Sequence, residues 1–337
     1  MARFSDMPKS KIAKSVPQAD LGLITTHSSR DSFLDSLRSP SSGKYKRLTI
    51  SPIRYAGGKS KAVGTIIEHF PDSLDTLISP FFGGGSVELA TNRFLRSSVV
   101  GYEIFDVLVN YWEYQINEPQ DLFRELQKLK PTAGEYARVK EYLKQRWDKH
   151  KGLTEAPAER DGLKLAAYYW FNHNLSYGPG FLGWPSKMYL DPDRYSRMIA
   201  RVRDFEHRNL NVRNLSFQNA FSDFPQGFFY CDPPYFLGES TQMFKGLYPM
   251  RNFPVHHDAF PHEELRDLLL AHKGDFVLSY NDCEEIRDWY SDFQILEPVW
   301  QYTMGQGEMR IGKNRQLAGD DHVKQSHELL IVKRSSK

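Results

Sequence analysis

Short apolar runs alternate with stretches of helical spacing along this chain, in an order that predicts an α/β sheet. Thr76–Ser79 is an apolar run that meets Pro80 and then three glycines, which reads as a strand entering a turn. A helical stretch over Val87–Phe94 follows, and Ser98–Tyr102 reads as a strand again. Strand, glycine turn, helix and strand make a βαβ unit, and such a unit places its two strands parallel. Further strands are predicted at Asn211–Phe217, Phe228–Cys231, Phe276–Tyr280 and His327–Lys333. Between about Asp106 and Arg208 the pattern is mostly helical, with amphipathic runs at Asp121–Leu129 and Gly134–Trp147. That stretch reads as an insertion between two parts of one sheet. Residues 1–46 are rich in serine, contain Pro8, Pro17 and Pro40 and show little periodicity, so they read as a mostly disordered arm with room for a short helix over Asp31–Leu37. The expected boundaries are therefore an arm at 1–46, a sheet domain at 47–113 and 209–337, and a helical insertion at 114–208. No internal repeat is visible.

Composition narrows the class without naming a partner. With 337 residues, 40% hydrophobic and 26% charged, the chain has ordinary globular composition, which excludes fibrous and fully disordered classes. No window approaches the roughly 20 apolar residues of a membrane span, and Met1–Ser10 lacks the apolar core of a signal peptide. Two cysteines, Cys231 and Cys283, cannot build a disulfide framework and fit a reducing cytosol. The net charge of +2 does not announce a polyanion partner, but its distribution is uneven. Residues 1–50 hold nine Lys or Arg against four acids, and so does the stretch from Arg124 to Lys151. Each is locally +5, either as a solvated surface or as a grip on phosphates.

The most informative segment is Phe228-Phe229-Tyr230-Cys231-Asp232-Pro233-Pro234-Tyr235. An apolar strand ends in a carboxylate, two prolines and an aromatic ring. Ligands in open α/β sheets bind just beyond the carboxyl ends of strands. Pro233 and Pro234 lack backbone donors and stiffen the turn, which leaves carbonyl acceptors beside Asp232. Acceptors placed on both hydrogens of an exocyclic amine favour a pyramidal nitrogen with an available lone pair. Tyr235 offers a ring face for a stacked base.

Asp-Pro-Pro-Tyr after an apolar strand resembles the motif of DNA methyltransferases that act on amino groups, and three further segments resemble the Dam-like class specific for adenine N6. The first is Ile53-Arg54-Tyr55-Ala56-Gly57-Gly58-Lys59. The resemblance implies that Tyr55 and Lys59 contact S-adenosyl-L-methionine (AdoMet). A phosphate-binding loop is not the reading, because Ile53 stands where that motif needs its first glycine. The second is Pro80-Phe81-Phe82-Gly83-Gly84-Gly85-Ser86, similar to the family's glycine loop, with Phe82, Gly83 and Gly85 as cofactor candidates. Glu103 follows Gly85 by 18 residues, at the end of the next predicted strand, where an acid binds ribose hydroxyls. The glycines are contiguous, which disfavours a nicotinamide dinucleotide. The third is Phe171-Asn172-His173-Asn174-Leu175-Ser176-Tyr177-Gly178, a looser match, in which a lone His173 reads as structural.

The resemblance implies a Rossmann-like AdoMet-dependent sheet with a helical DNA-recognition insertion. It also implies transfer of a methyl group to N6 of an adenine flipped out of double-stranded DNA, with Asp232, Pro233, Pro234 and Tyr235 at the reaction. In the strand before the catalytic one, Gln218-Asn219-Ala220-Phe221 stands where the family often has Asp-Phe, so Asn219 and Phe221 are expected at the cofactor's adenine. Arg194, Arg197 and Arg201 recur on one helical face and are expected at DNA. Phe244 and Lys245, within Ser240–Arg251, are expected in a lid over the flipped base. The late strands, including Glu328–Ile331, are assigned to core. No metal is implied. A restriction endonuclease in the same system is the expected protein partner. The same chemistry on cytosine N4 or RNA adenine, and a catalytically silent DNA-binding relative, are the alternative readings.

Overall fold

The computed structural model describes residues 28–150, 162–236, 260–298 and 328–334. Its strands are β1 (Thr76–Ser79), β2 (Ser98–Tyr102), β3 (Leu210–Arg213), β4 (Phe228–Cys231), β5 (Phe276–Asn281), β6 (Gln294–Leu296) and β7 (Glu328–Lys333). They form one sheet in the order β3-β2-β1-β4-β5-β7-β6. The first five in that order are parallel, and β7 runs antiparallel between β5 and β6. After β1 the chain builds outward through β2 and β3, then returns to lay β4 on the other side of β1. This reversal makes a topological switch point, with a crevice at the carboxyl ends of β1 and β4. The reversed direction of β7 puts its first residue, Glu328, opposite Asn281 at the carboxyl end of β5.

Side chains alternate across the sheet and bury two helical layers. Leu77, Val99, Tyr230 and Val277 face one layer, while Ile78, Phe229, Cys231 and Leu278 face the other. The second layer is α9 (Phe217–Asp223), α10 (His262–Ala271) and α11 (Glu284–Trp289). The first holds α1 (Ser29–Leu37), α2 (Val63–Ile67), α3 (Ser86–Ala90, continuing into a π-turn over Thr91–Leu95) and α4 (Asp106–Asn117). It also holds α5 (Pro119–Lys128), α6 (Ala133–His150), α7 (Gly162–Leu175) and α8 (Pro192–Arg203). α7 is buried continuously from Leu165 to Leu175, as expected of a helix surrounded by others. Its Trp170 indole donates to the carbonyl of Pro52 at 3.0 Å, so α7 also supports the segment leading to Tyr55. Among the described residues no helix is long and apolar enough to cross a membrane.

Two sequence expectations are corrected. The arm assigned to residues 1–46 is ordered from Ser28. Ser28 caps α1 by accepting from the Asp31 amide at 3.1 Å, and Phe33, Leu34 and Leu37 enter the core, with Phe33 stacked on Phe94 at 4.7 Å. Burying three such side chains contributes roughly 1.5–3 kcal/mol each, which offsets part of the conformational entropy lost on ordering the segment. Residues 1–27 lie outside the described residues. The strand expected over Asn211–Phe217 ends at Arg213. Asn214 turns its amide onto the carbonyls of Glu103 and Ile104, both at 3.1 Å, and the chain enters α9 at Phe217.

Candidate active site

The turn that delivers Lys59 is built by glycine. Gly58 donates its amide to the Tyr55 carbonyl at 3.2 Å, and Gly57 takes φ +73, the left-handed value this turn requires. Lys59 then points inward, only 4% exposed. Its ammonium donates to both oxygens of Asp232, at 2.7 and 2.9 Å, to the Tyr235 hydroxyl at 3.0 Å and to the Gly57 carbonyl at 3.2 Å. Tyr235 in turn donates to Oε1 of Glu328, which also lies 3.7 Å from the Lys59 ammonium. Asp232, Lys59, Tyr235 and Glu328 thus form one hydrogen-bonded group at the crevice. Burial pushes Asp232 up from the ordinary carboxylate range, and the Lys59 ammonium opposes that shift. Glu328 is pushed up to about 8 by burial, again opposed by Lys59. Behind them, Glu88 of α3 is pushed up to about 7 by burial and accepts from Ser79 at 2.7 Å.

The glycine loop lies beside this group. A Cβ on Gly84 would stand 2.4 Å from Cβ of Tyr55, so only glycine lets Tyr55 lie across the loop. Trp112 of α4 donates its indole N–H to the Gly83 carbonyl at 2.9 Å. At the end of β2, Glu103 accepts from the amides of Gly83 at 3.1 Å and Phe105 at 3.0 Å, one on each carboxylate oxygen. Each oxygen keeps a second lone pair for a further donor. Tyr55 stacks on His173 of α7, with ring centroids 5.8 Å apart. His173 is held neutral, its pKa lowered to about 3 by burial, and neither ring nitrogen has a hydrogen-bond partner among the described residues.

Residues 55–304 match the model of the D12 class N6 adenine-specific DNA methyltransferases. The chain belongs to that family. It is also similar to the type II methyltransferase M.FokI of Planomicrobium okeanokoites, at 24% identity over 210 residues, covering 58% of this chain and 30% of that protein. The seven-stranded, mostly parallel sheet agrees with the expected Rossmann-like methyltransferase fold.

AdoMet is the methyl donor of this family. The residues present fit it: a glycine cradle that side chains would fill, an acid with spare lone pairs at the end of β2, and a buried imidazole with unused hydrogen-bonding capacity. Tyr55, Lys59, Gly83, Gly85, Glu103, Asp232, Pro233, Pro234 and Tyr235 are gathered at the carboxyl ends of β1, β2 and β4, where the motifs place them.

Other expected residues sit differently. The Phe82 ring is buried under the loop, edge-on to Trp112 at 5.1 Å, so only its backbone can face a cofactor. Asn219 and Phe221 are in α9, not in a strand. The Asn219 side chain accepts from Ser216 at 2.9 Å, and Phe221 packs on Phe229 at 4.9 Å and on His272 at 5.5 Å. The ring that α9 brings to the loop is Phe217, 5.5 Å from Phe81 and 5.4 Å from Phe260. Its signal was the first turn of a helix read as the end of a strand.

Of the three arginines of α8, Arg194 lies near the site, 5.3 Å from the Tyr189 ring that Arg54 covers at 3.6 Å. The helix then runs toward β3 and the amino ends of the strands. At about 1.5 Å rise per residue, Arg201 stands about 10 Å further along the axis than Arg194, and Arg197 lies between them. Phe244 and Lys245, with the rest of the expected lid, lie outside the described residues. Glu328, expected in the core, is buried at 2% exposure, and there it meets the Tyr235 hydroxyl and the Lys59 ammonium.

Proposed function

We propose that the protein is a site-specific DNA adenine-N6 methyltransferase that uses AdoMet to methylate an adenine flipped out of double-stranded DNA. The observation that carries the reading is the Asp232 carboxylate, held by Lys59 at the end of β4 beside the glycine loop and Glu103. Glu103 would hold the ribose hydroxyls, Tyr55 and the Gly83–Gly85 backbone the body of the cofactor, and Phe217 with Phe81 its adenine ring. When bound, AdoMet supplies an electrophilic methyl group on its sulfonium centre. Asp232 and the carbonyls around Pro233 and Pro234 accept from the target amine and expose its lone pair. Lys59 keeps Asp232 ionised against the burial that raises it, and an ionised carboxylate is the form that accepts. Tyr235, fixed at its hydroxyl by Lys59 and Glu328, holds its ring plane beside Asp232 for the base.

The DNA would lie over the carboxyl ends of the strands. Two aromatic side chains of the segment after α7 are exposed there: Tyr177, and Trp184 at 79% exposure with Lys140 4.8 Å over its ring. The 114–208 insertion is proposed as the DNA-recognition unit on this ground. A restriction endonuclease in the same system is proposed as a partner because of the likeness to a type II methyltransferase. The test is transfer of labelled methyl from AdoMet to DNA by wild type and Asp232→Asn. Label in N6-methyladenine from wild type, with AdoMet binding kept and transfer lost in Asp232→Asn, is expected. Equal transfer by both proteins refutes the mechanism.

A further inference from the structure

Methylating an exocyclic amine leaves one proton to dispose of. The described residues hold an ordered path for it. Lys59 donates to Asp232 at 2.7 Å and to the Tyr235 hydroxyl at 3.0 Å, and Tyr235 donates to Oε1 of Glu328. Tyr235, the one donor after Lys59, points toward Glu328 of β7. Glu328 is 2% exposed, and its second oxygen, Oε2, has no hydrogen-bond partner among the described residues. A buried carboxylate with an unsatisfied oxygen is costly, whereas the neutral acid is not. The path therefore ends at a group that gains from receiving a proton.

We infer that Glu328 is the terminal proton acceptor of the methyl transfer, acting through Lys59 and Tyr235 and touching neither substrate nor cofactor. This rests on the adenine-N6 reading above. The target nitrogen forms its bond to the methyl carbon as the carbon–sulfur bond breaks, with that bond's electron pair left on sulfur. The nitrogen gives one proton to Asp232. Lys59 passes a proton to the Tyr235 oxygen, whose own proton goes to Glu328, and Lys59 takes the proton held by Asp232. The sum is one proton moved from N6 to Glu328, with Asp232, Lys59 and Tyr235 returned to their starting states. Glu328 then releases its proton before the next turnover.

Glu328 must be ionised at the start. The groups that face it are the Lys59 ammonium, which favours the ionised form, Asp232, which opposes it, and the Tyr235 hydroxyl; its neighbour across the sheet, Asn281, is neutral. With its pKa raised to about 8, the ionised fraction grows as pH rises through the neutral range. The single-turnover rate of the full chain on duplex DNA should therefore climb with pH and level off. Glu328→Gln keeps an acceptor for Tyr235 but cannot take the proton.

The experiment measures AdoMet binding by calorimetry, the pH profile of single-turnover methylation, and the infrared carbonyl band of protonated carboxyls in the cofactor-free protein, for wild type, Glu328→Gln and Tyr235→Phe. Expected are AdoMet binding within about twofold of wild type in Glu328→Gln, a rate lower by about 100-fold, loss of the rising pH limb, and loss of a carboxyl band that titrates in wild type. Tyr235→Phe, which breaks the path one step earlier, should lose the same limb while keeping the band. A Glu328→Gln protein with the wild-type rate, or with a lower rate on an unchanged pH profile, overturns the proposal. Wild type that methylates no adenine at all overturns the underlying reading instead.

Discussion

Lys59 is the only cation in hydrogen-bond contact with Asp232 among the described residues, so replacing it should convert the site into a pH-sensitive weakness. In the folded wild type, Glu328 titrates at about 8, against about 4.3 in an unfolded chain. Between those values the folded state holds one more proton than the unfolded state, so this group lowers stability as pH rises. Lys59→Met removes the charge that opposes the upward shift of Asp232 and gives that carboxyl the same behaviour. Each extra proton held by the folded state changes stability by about 1.4 kcal/mol per pH unit. The gap between wild type and Lys59→Met should therefore widen as pH rises, by up to about 1.4 kcal/mol per pH unit while Asp232 of the variant stays protonated. Glu88, raised to about 7, titrates in both proteins and adds no difference at first order. Urea unfolding followed by circular dichroism at a series of pH values measures the gap. Adding Asp232→Asn to Lys59→Met should close it. Parallel pH–stability curves for wild type and Lys59→Met refute the electrostatic account of the site.

Gly84→Ala puts a methyl group 2.4 Å from Cβ of Tyr55, which must move off the loop; calorimetry should show AdoMet affinity lowered by about tenfold or more, some 1.4 kcal/mol, with the melting temperature little changed. Trp112→Phe leaves the Gly83 carbonyl without its donor, at a cost of about 1–3 kcal/mol in unfolding free energy, and weakens AdoMet binding through the same loop. Arg197→Ala and Arg201→Ala together should leave the salt dependence of DNA binding unchanged, because α8 carries them away from the crevice, whereas Trp184→Ala should weaken DNA binding at every salt concentration. A reduced salt slope in the arginine double variant would place DNA along α8 after all.

The parts of the fold that local pattern controls were legible in the sequence. Phe228–Cys231, Thr76–Ser79 and Ser98–Tyr102 are strands at the predicted bounds, and the motifs that follow the first two lie together as the resemblance implied. The errors came where local pattern is ambiguous. Leu215 and Phe217, with Ser216 between them, keep an alternation that a strand would show, and the strand's true end is set by Asn214 bonding to carbonyls more than 100 residues away. That shift moved the expected ring from Phe217 to Phe221, one helical turn on. The spacing of the α8 arginines puts them on one face, but a face says nothing about where the helix axis points. Phe33, Leu34 and Leu37 sit inside a segment whose average composition is that of a tail, and three residues hardly move such an average.

Glu328 was missed for a topological reason. In a parallel strand the first residue lies at the end away from the site, so Glu328 reads with Leu329–Ile331 as part of a core strand. β7 is reversed between β5 and β6, and this exchanges its ends. Its first residue then sits beside Asn281, which clamps the backbone of Phe236, donating to its carbonyl at 2.9 Å and accepting from its amide at 2.8 Å. The antiparallel β7 thus brings a carboxylate to the corner of the sheet where Asn281 of β5 fixes the end of the Asp232–Tyr235 loop. A parallel β7 would bring Lys333 there instead, and a second cation near Lys59 would shift the neighbouring carboxyls downward. Strand direction, which no local pattern encodes, decides which end of β7, carboxylate or ammonium, stands beside Lys59.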